Sequence, residues 1–341
     1  MQQLSKRLQR NDEECFSDTT LAGVMALTLY ELQAGTSTQA SGWLSHVRGA
    51  TSLVKLRGER NFANTFGFHL YFASQLNDLI HAVGRRKRML ASADWSELQY
   101  GKEPPSAIQL FDILQELPSI IEYADAIKAA QTGTEDHTIV NHLLALTGRA
   151  QSFELRLTEW FSKLEKDQSQ QSNPLLFWPE PSTLYTRVPP SHPSRVFPTF
   201  LCFPDMAIAE QVVLCWTALL FIPRLLHYTE QRLKQDGELP SSYRVGSSLS
   251  ALATDSTDLA KKVAQSLEYF LHPDVGLMEL QFIGFPMNLA MATCNSLGLK
   301  EAAFFGLVRA RLKETNTGMG DFLDTMLAKG GGLAAVRLLV S

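Results

Sequence analysis

Apolar residues recur every three or four positions through most of this 341-residue chain, which is the spacing of one face of an α-helix. Leu259, Val263, Leu267 and Phe270 show the pattern clearly. Alternating patterns that would indicate strands are few and short. The spacing therefore predicts an all-α protein. Other helices are expected near 19–33, 43–57, 64–83, 106–130, 138–166, 204–232, 286–297, 299–315 and 320–329.

The stretch from Lys166 to Pro204 interrupts the helical pattern. It holds eight of the fifteen prolines, and each proline removes a backbone N–H and restricts the preceding residue, so continuous helix is prevented. Aromatic side chains such as Phe177 and Phe197 make it too apolar for a free linker, and we expect it to pack across the helices. The sequence thus predicts one domain over residues 1–341. Its architecture would be an array of packed helical hairpins with a long proline-rich connector at 166–204.

The charge balance is slightly acidic, with 31 Lys and Arg against 35 Asp and Glu and a formal net charge of -4. A protein that binds DNA by itself usually has a basic excess, because neutralising phosphates supplies much of its affinity. We therefore expect no direct DNA binding by this chain. No uncharged apolar run is long enough to predict a membrane span, and no signal peptide pattern follows the N terminus.

Motifs for catalysis, cofactors and metals are missing from the sequence. The run 318–320 starts like a nucleotide-binding loop, but Leu323 replaces the third glycine and no strand precedes it. The four cysteines, Cys15, Cys202, Cys215 and Cys294, lack the spacing of a zinc site and are too few for a disulfide scaffold. We expect no catalytic residue, cofactor or metal. The missing motifs argue against an enzyme.

One compact basic run occurs in the chain, formed by Arg85, Arg86, Lys87 and Arg88. Such a run can act as a nuclear-import signal or contact phosphate groups. It can equally be the solvated end of the preceding helix. Both interpretations stay open from the sequence.

The segment from Thr19 to Gly58 has the pattern of a helical hairpin, with two apolar helix faces joined by a polar loop. Gly49 would let the two helices approach closely. Glu31 could form an ion pair with Arg48 or His46, since an unpaired charge in these apolar surroundings would be costly. A structural clasp and a ligand contact are the two explanations for these polar residues.

This hairpin closely resembles the fungal-specific transcription factor domain, which follows the DNA-binding zinc cluster in many fungal regulators. The likeness is carried by Tyr30, Glu31, Trp43, His46, Arg48 and Gly49. It returns more weakly at 203–205 and 285–287. The six-cysteine cluster and the first apolar helices of that domain are not found here, so we expect a domain shortened at its N terminus relative to the family.

The resemblance implies a pathway-specific transcriptional regulator, or the regulatory half of one, placed in the nucleus or alternatively the cytoplasm. Its expected protein partners are the transcription machinery, a full-length regulator or a second copy of the chain. A small-molecule effector is a further candidate as a ligand. As an inert scaffold, the chain could instead bind a full-length regulator and sequester it. The alternative is a stand-alone small-molecule-binding protein or enzyme of fungal secondary metabolism. Its pocket would be lined by Trp178, Tyr185, Phe200, Trp216 and His227.

Overall fold

A computed structural model describes residues 16–34, 41–58, 65–90, 104–130, 136–186, 188–235, 249–272, 277–315, 318 and 320–321. These residues are predominantly helical, which confirms the all-α fold class. The α-helices are α1 (Asp18–Ala34), α2 (Ser41–Arg57), α3 (Thr65–Arg85), α4 (Ser106–Leu114), α5 (Leu117–Ala130), α6 (Asp136–Gln168), α7 (Met206–Leu219), α8 (Ile222–Gln235), α9 (Leu249–Ser266), α10 (Leu277–Ser296) and α11 (Phe304–Thr315). Short 3₁₀ turns lie at Tyr269–Leu271 and Lys300–Ala303.

Two of the long helices predicted from the sequence are each divided in two. The 106–130 helix breaks between α4 and α5, and the 204–232 helix breaks between α7 and α8. In both cases the second helix has proline at its second position, Pro118 and Pro223. Proline is tolerated in a first helical turn, where its missing N–H has no intrahelical partner, but it does not continue a preceding helix.

The helix predicted near 286–297 is longer than expected, because α10 begins at Leu277 and continues through Pro286. The prediction at 320–329 falls outside the described residues except for its first two positions. Of the helix predicted at 299–315, Leu299 is extended and Lys300–Ala303 form a 3₁₀ turn ahead of α11.

The long helix α6 runs through the middle of the core. It packs against α4, α5, α7 and α8. Its core-facing side chains are completely buried and follow one another at intervals of three and four residues, as one face of a helix requires. They are Leu143, Leu146, Ala150, Phe153 and Leu157.

By length and composition, the described segment Met206–Lys234 is apolar enough to cross a membrane, with a mean hydropathy of 1.7 in its most apolar window. However, 67% of that window is buried inside the protein. The segment is also divided into α7 and α8 at Leu220 and Phe221. Its place in the core therefore accounts for its composition.

The proline-rich connector contains a small antiparallel ribbon that the sequence pattern did not predict. Strand β1 (Trp178–Pro181) pairs with β2 (Thr199–Cys202), and Trp178 lies opposite Cys202. Pro179 and Pro181 fit because a two-stranded ribbon has only edge strands, in which proline is tolerated. The connector also packs on the helices: the Phe177 and Trp216 ring centroids are 5.1 Å apart, and Lys262 Nζ lies 5.6 Å from the Trp216 ring.

A buried carboxylate fastens the connector to the turn after α9. Glu268 is only 5% exposed, and it accepts hydrogen bonds from Ser182 Oγ at 2.6 Å and from the backbone N–H and hydroxyl of Thr183 at 2.6 and 2.8 Å. The N–H of Leu184 adds a longer one at 3.3 Å. We call this set of contacts the Glu268 clamp.

Candidate functional site at the helical hairpin and α3

Helices α1 and α2 form the hairpin expected from the sequence and pack against each other along their apolar faces. Of the apolar positions predicted at this interface, Leu29 is half-buried. The others are buried: Leu21, Met25, Leu32, Trp43, Val47, Ala50 and Val54. Burial of this many large side chains makes the hairpin a stable unit to which other contacts are attached.

An ion pair closes the open end of the hairpin. Arg57 Nη2 lies 2.5 Å from Asp18 Oδ1, and the Arg57 side chain is only 7% exposed. Asp18 stands in the first turn of α1 and Arg57 in the last turn of α2, so each charge also complements the dipole of its own helix. Sequence reasoning missed this pair because 39 positions separate its members.

At the loop end, Glu31 approaches His46, with 4.0 Å between Glu31 Oε1 and His46 Nε2. Arg48, the other partner considered for Glu31, is exposed, and its charge acts on His81 of α3 instead. Tyr30 is 57% exposed and does not contribute to the core. The geometry favours the structural clasp for Glu31 and His46 and leaves Tyr30 available at the surface.

Gly42, in the first turn of α2, leaves room for a side chain of α1. A Cβ atom at Gly42 would overlap the Glu31 carboxylate, whereas one at Gly49 would meet Val24 Cγ1 at an ordinary 3.8 Å. The absence of a side chain at Gly42 thus lets Glu31 lie against the first turn of α2. Gly49 faces Val24 of α1, but an alanine methyl group would fit there as well, so the expected need for a glycine at this position is not supported.

Alanine substitution should separate the two glycines. We expect Gly49→Ala to raise the free energy of unfolding by about 0.5–1 kcal/mol, because it removes a flexible residue from the interior of α2 without a clash. Gly42→Ala should give no such gain, because its methyl group displaces Glu31 from His46. Urea unfolding followed by circular dichroism measures both.

A matched background makes this comparison specific. In a Glu31→Ala chain the obstacle at Gly42 is gone, so Gly42→Ala should no longer be unfavourable there. Equal effects of the two glycine substitutions in the native chain would contradict the assignment.

Helix α3 buries an unusual set of polar side chains. Ser74, Gln75, Asp78 and His81 are each at most 3% exposed, on a helix that packs against α1, α2 and α5. Asp78 Oδ2 accepts a hydrogen bond from the N–H of Leu90 at 3.1 Å. This bond holds the segment that follows α3 against the helix. Ser74 Oγ, Gln75 Oε1 and His81 Nε2 are buried without a hydrogen-bond partner. Buried polar atoms of this kind lower stability and tend to occur where function requires them.

Burial keeps His81 neutral. The pKa of His81 is lowered from 6.5 to about 4, mainly by desolvation and to a smaller extent by the charges of Arg85 and Arg48. The imidazole of the folded protein therefore resists protonation until the solution is distinctly acidic.

His81 should make the protein sensitive to mild acid. Because its folded-state pKa is depressed, the unfolded chain takes up the proton first, and stability present above about pH 6.5 is lost as the pH falls towards 4. Between pH 7 and pH 5 the wild type should lose about 2 kcal/mol more than His81→Leu. Urea unfolding at the two pH values measures the difference. His69→Leu, which removes an exposed histidine from the same helix, is the control and should behave as wild type. A His81→Leu chain with the same pH dependence as wild type would show that this residue is not the source.

The basic run that follows α3 is held against α5. Arg86 is buried and forms two 2.7 Å hydrogen bonds to the carboxylate of Asp125. It has a positive φ of 56°, in the position after a helix where glycine is usual, and the Lys87 N–H caps the Ala82 carbonyl at 3.1 Å. The two bonds to Asp125 compensate this strained backbone.

Lys87 and Arg88 both approach Glu122 of α5. Lys87 Nζ lies 3.2 Å from Glu122, and the N–H of Arg88 donates to the same carboxylate at 3.1 Å. That backbone hydrogen bond is the main cause of a lowered pKa at Glu122. Arg85 is exposed at the end of α3. In the folded protein the run therefore has a structural role, and nuclear import through it stays a prediction.

The residues proposed to line a pocket are distributed over the connector and two helices. Trp216 is buried against Phe161 and Phe177, and Tyr185 is buried with its hydroxyl bonded to the Ser194 carbonyl and the Phe197 N–H. The remaining three, Trp178, Phe200 and His227, are half-buried. A cleft of about 40 Å³ lies elsewhere, between α3, α4 and α7, and is lined mainly by apolar residues such as Phe72, Leu110 and Leu214.

Within the described parts of the chain, no three His, Cys, Asp or Glu side chains come together as metal ligands. Cys202, Cys215 and Cys294 are free thiols, and Cys15 lies outside the described residues. Burial raises the pKa of Cys215 and raises that of Cys294 to about 11. These two thiols stay protonated and unreactive at neutral pH.

Together, these features define an all-α domain whose N-terminal part is a hairpin clasped at both ends and attached to α3. A family model described as the fungal specific transcription factor domain matches residues 1–188, more than half of the chain. The protein therefore belongs to this family of transcription regulators. No curated protein and no solved structure gives a significant match.

Proposed function

We propose that this chain is the regulatory body of a pathway-specific fungal transcription regulator and works in the nucleus. In this proposal a separate zinc cluster reads DNA, and the helical domain contacts proteins of the transcription machinery or a full-length regulator. Secondary metabolism is the pathway class that we propose. The observation that carries the regulatory role is the family match over residues 1–188.

The charge distribution supports action without direct DNA contact. The chain has a net charge of -4, and three members of its compact basic run, Arg86, Lys87 and Arg88, lie against Asp125 and Glu122. A phosphate that bound Arg86 would have to break its buried pair with Asp125, which offsets the gain. Arg86 therefore adds little to an electrostatic surface for a duplex.

The cleft between α3, α4 and α7 is too small to hold an organic effector. Its volume of about 40 Å³ is close to that of one or two water molecules, at roughly 30 Å³ each. Pockets for organic ligands are typically several hundred Å³. The cleft is thus a packing gap, and the route we propose is a surface contact.

Tyr30 is the residue that we place in this contact. It belongs to the Tyr-Glu pair that carries the family likeness, yet it is 57% exposed, so core packing does not explain it. An exposed aromatic side chain with a hydroxyl group suits a protein interface, where it supplies apolar area and one hydrogen bond.

A tethered reporter assay tests this function. The chain is fused to an unrelated DNA-binding domain and expressed in yeast with a reporter gene under its binding site. The fusion should change reporter output several-fold, and Tyr30→Ser should remove most of the change, because truncating an interface anchor commonly costs about 2 kcal/mol or more of binding.

Leu155→Ser is the matched control, since Leu155 is equally exposed at 58% but lies on α6, away from the hairpin. Both variants should keep the melting temperature and expression level of the parent. A stably expressed fusion without effect on the reporter would contradict the regulatory role. An unaltered response to Tyr30→Ser would contradict only the placement of the contact.

A further inference from the structure

The Glu268 clamp depends on two hydroxyl groups that enzymes can modify. Its carboxylate is 5% exposed and is surrounded by donors from Ser182, Thr183 and Leu184. Within the described residues no Lys or Arg forms an ion pair with it. The buried negative charge is thus stabilised by neutral donors alone, and losing one of them leaves it poorly compensated.

The clamp is one of the contacts that hold the connector on the helices. Directly before it, the N–H of Ser182 donates to the Pro198 carbonyl at 3.0 Å, which joins the two arms of the connector. Directly after it, the Tyr185 hydroxyl accepts from the Phe197 N–H at 3.1 Å. Between these two links, the N–H groups of Thr183 and Leu184 both donate to Glu268. Opening the clamp would therefore release the turn at 182–184 from the carboxylate that holds it.

Thr183 is the accessible member of the clamp. It is exposed and lies in an irregular turn after Pro181, which is exposed as well, whereas Ser182 is half-buried. Its hydroxyl oxygen is 2.8 Å from a carboxylate oxygen of Glu268. In the closed state this hydroxyl is occupied, so a modifying enzyme would act when the turn is transiently open.

We propose that Thr183 is a regulatory phosphorylation site and that its modification keeps the Glu268 clamp open. A protein kinase transfers the γ-phosphoryl group of ATP to Thr183 Oγ1. The O–H bond breaks, a P–O bond forms, ADP leaves, and the hydroxyl proton passes to the catalytic base of the kinase. The product has lost its hydroxyl donor and carries a charge of about -1.5 to -2 at neutral pH.

Like-charge repulsion prevents the modified turn from closing again. Reclosing would bring the phosphate to the place where Thr183 Oγ1 now lies 2.8 Å from Glu268, with no described Lys or Arg paired to that carboxylate. The result is a shift in population towards a state in which the turn at 182–184 is released from Glu268. This inference concerns the fold and does not depend on the proposed transcriptional role.

Hydrogen exchange of the full chain tests the mechanism. Phosphothreonine is placed at position 183 by genetic code expansion, and exchange is followed by mass spectrometry. The amides of Thr183 and Leu184 should exchange about tenfold faster or more, because both donate to Glu268 and lose that acceptor, while those of α6 stay unchanged. Unchanged connector exchange would overturn the proposal.

Three further variants make the result specific. Phosphothreonine at Thr186, an exposed residue three positions further along whose hydroxyl donates only to the Thr183 carbonyl, should leave exchange unchanged. Thr183→Val removes the donor without adding charge and should give a smaller acceleration. Glu268→Gln combined with phosphothreonine at 183 should show less acceleration than phosphothreonine alone, because the repulsion is gone. Equal acceleration with and without the Glu268 charge would overturn the repulsion mechanism.

The site assignment has its own test. The full chain is purified from a fungal host and its phosphorylation is mapped by mass spectrometry with phosphatase inhibitors present. Phosphate on Thr183 is the expected result. A chain phosphorylated elsewhere, with Thr183 unmodified, would overturn the assignment.

Discussion

A proline-rich segment can pack against helices only if its buried N–H groups find acceptors, and at the turn after β1 one buried carboxylate provides them. Eight prolines between 166 and 204 remove donors, which prevents continuous helix and limits the described ladder to the short β1–β2 ribbon. Glu268 accepts from the N–H groups of Thr183 and Leu184 and from two hydroxyls, so the turn that leaves β1 is satisfied without regular structure. With that turn fixed, Phe177 can cover Trp216 and the connector closes one side of the core.

In the N-terminal part, too, buried polar groups satisfy one another. The helices pack through their apolar faces, and charged pairs fix the helix ends. Asp18 with Arg57 closes the hairpin, and Arg86 with Asp125 attaches the end of α3 to α5. In each pair the charges are partly buried and satisfy one another, which avoids the cost of an isolated buried ion. Arg57 and Arg86 thus serve the packing of the domain.

Helical periodicity was sufficient to predict the all-α class and the hairpin, because burial of a continuous apolar face depends mainly on local spacing. The helix breaks near Pro118 and Pro223 could have been predicted from the sequence, since proline favours the first turn of a new helix and each of these prolines stands at its second position. Pro286, which lies inside α10, shows that proline alone does not decide the boundary. The candidate site was predicted only in part. The polar residues Gln75, Asp78 and His81 could have been noticed on an otherwise apolar face of α3, whereas the contacts of Arg57 and Glu268 join residues 39 to 86 positions apart and leave no local pattern.

We propose that this domain regulates transcription without contacting DNA itself. The most direct measurement is selection of the purified full chain against a pool of random-sequence duplexes at about 50 mM salt, where electrostatic binding is strongest, followed by a fluorescence anisotropy titration of the recovered pool. The account predicts no enriched sequence and no binding that distinguishes the recovered pool from the starting one. Enrichment of a defined site bound with a Kd of about 10 nM or tighter, as in specific protein–DNA complexes, would contradict it.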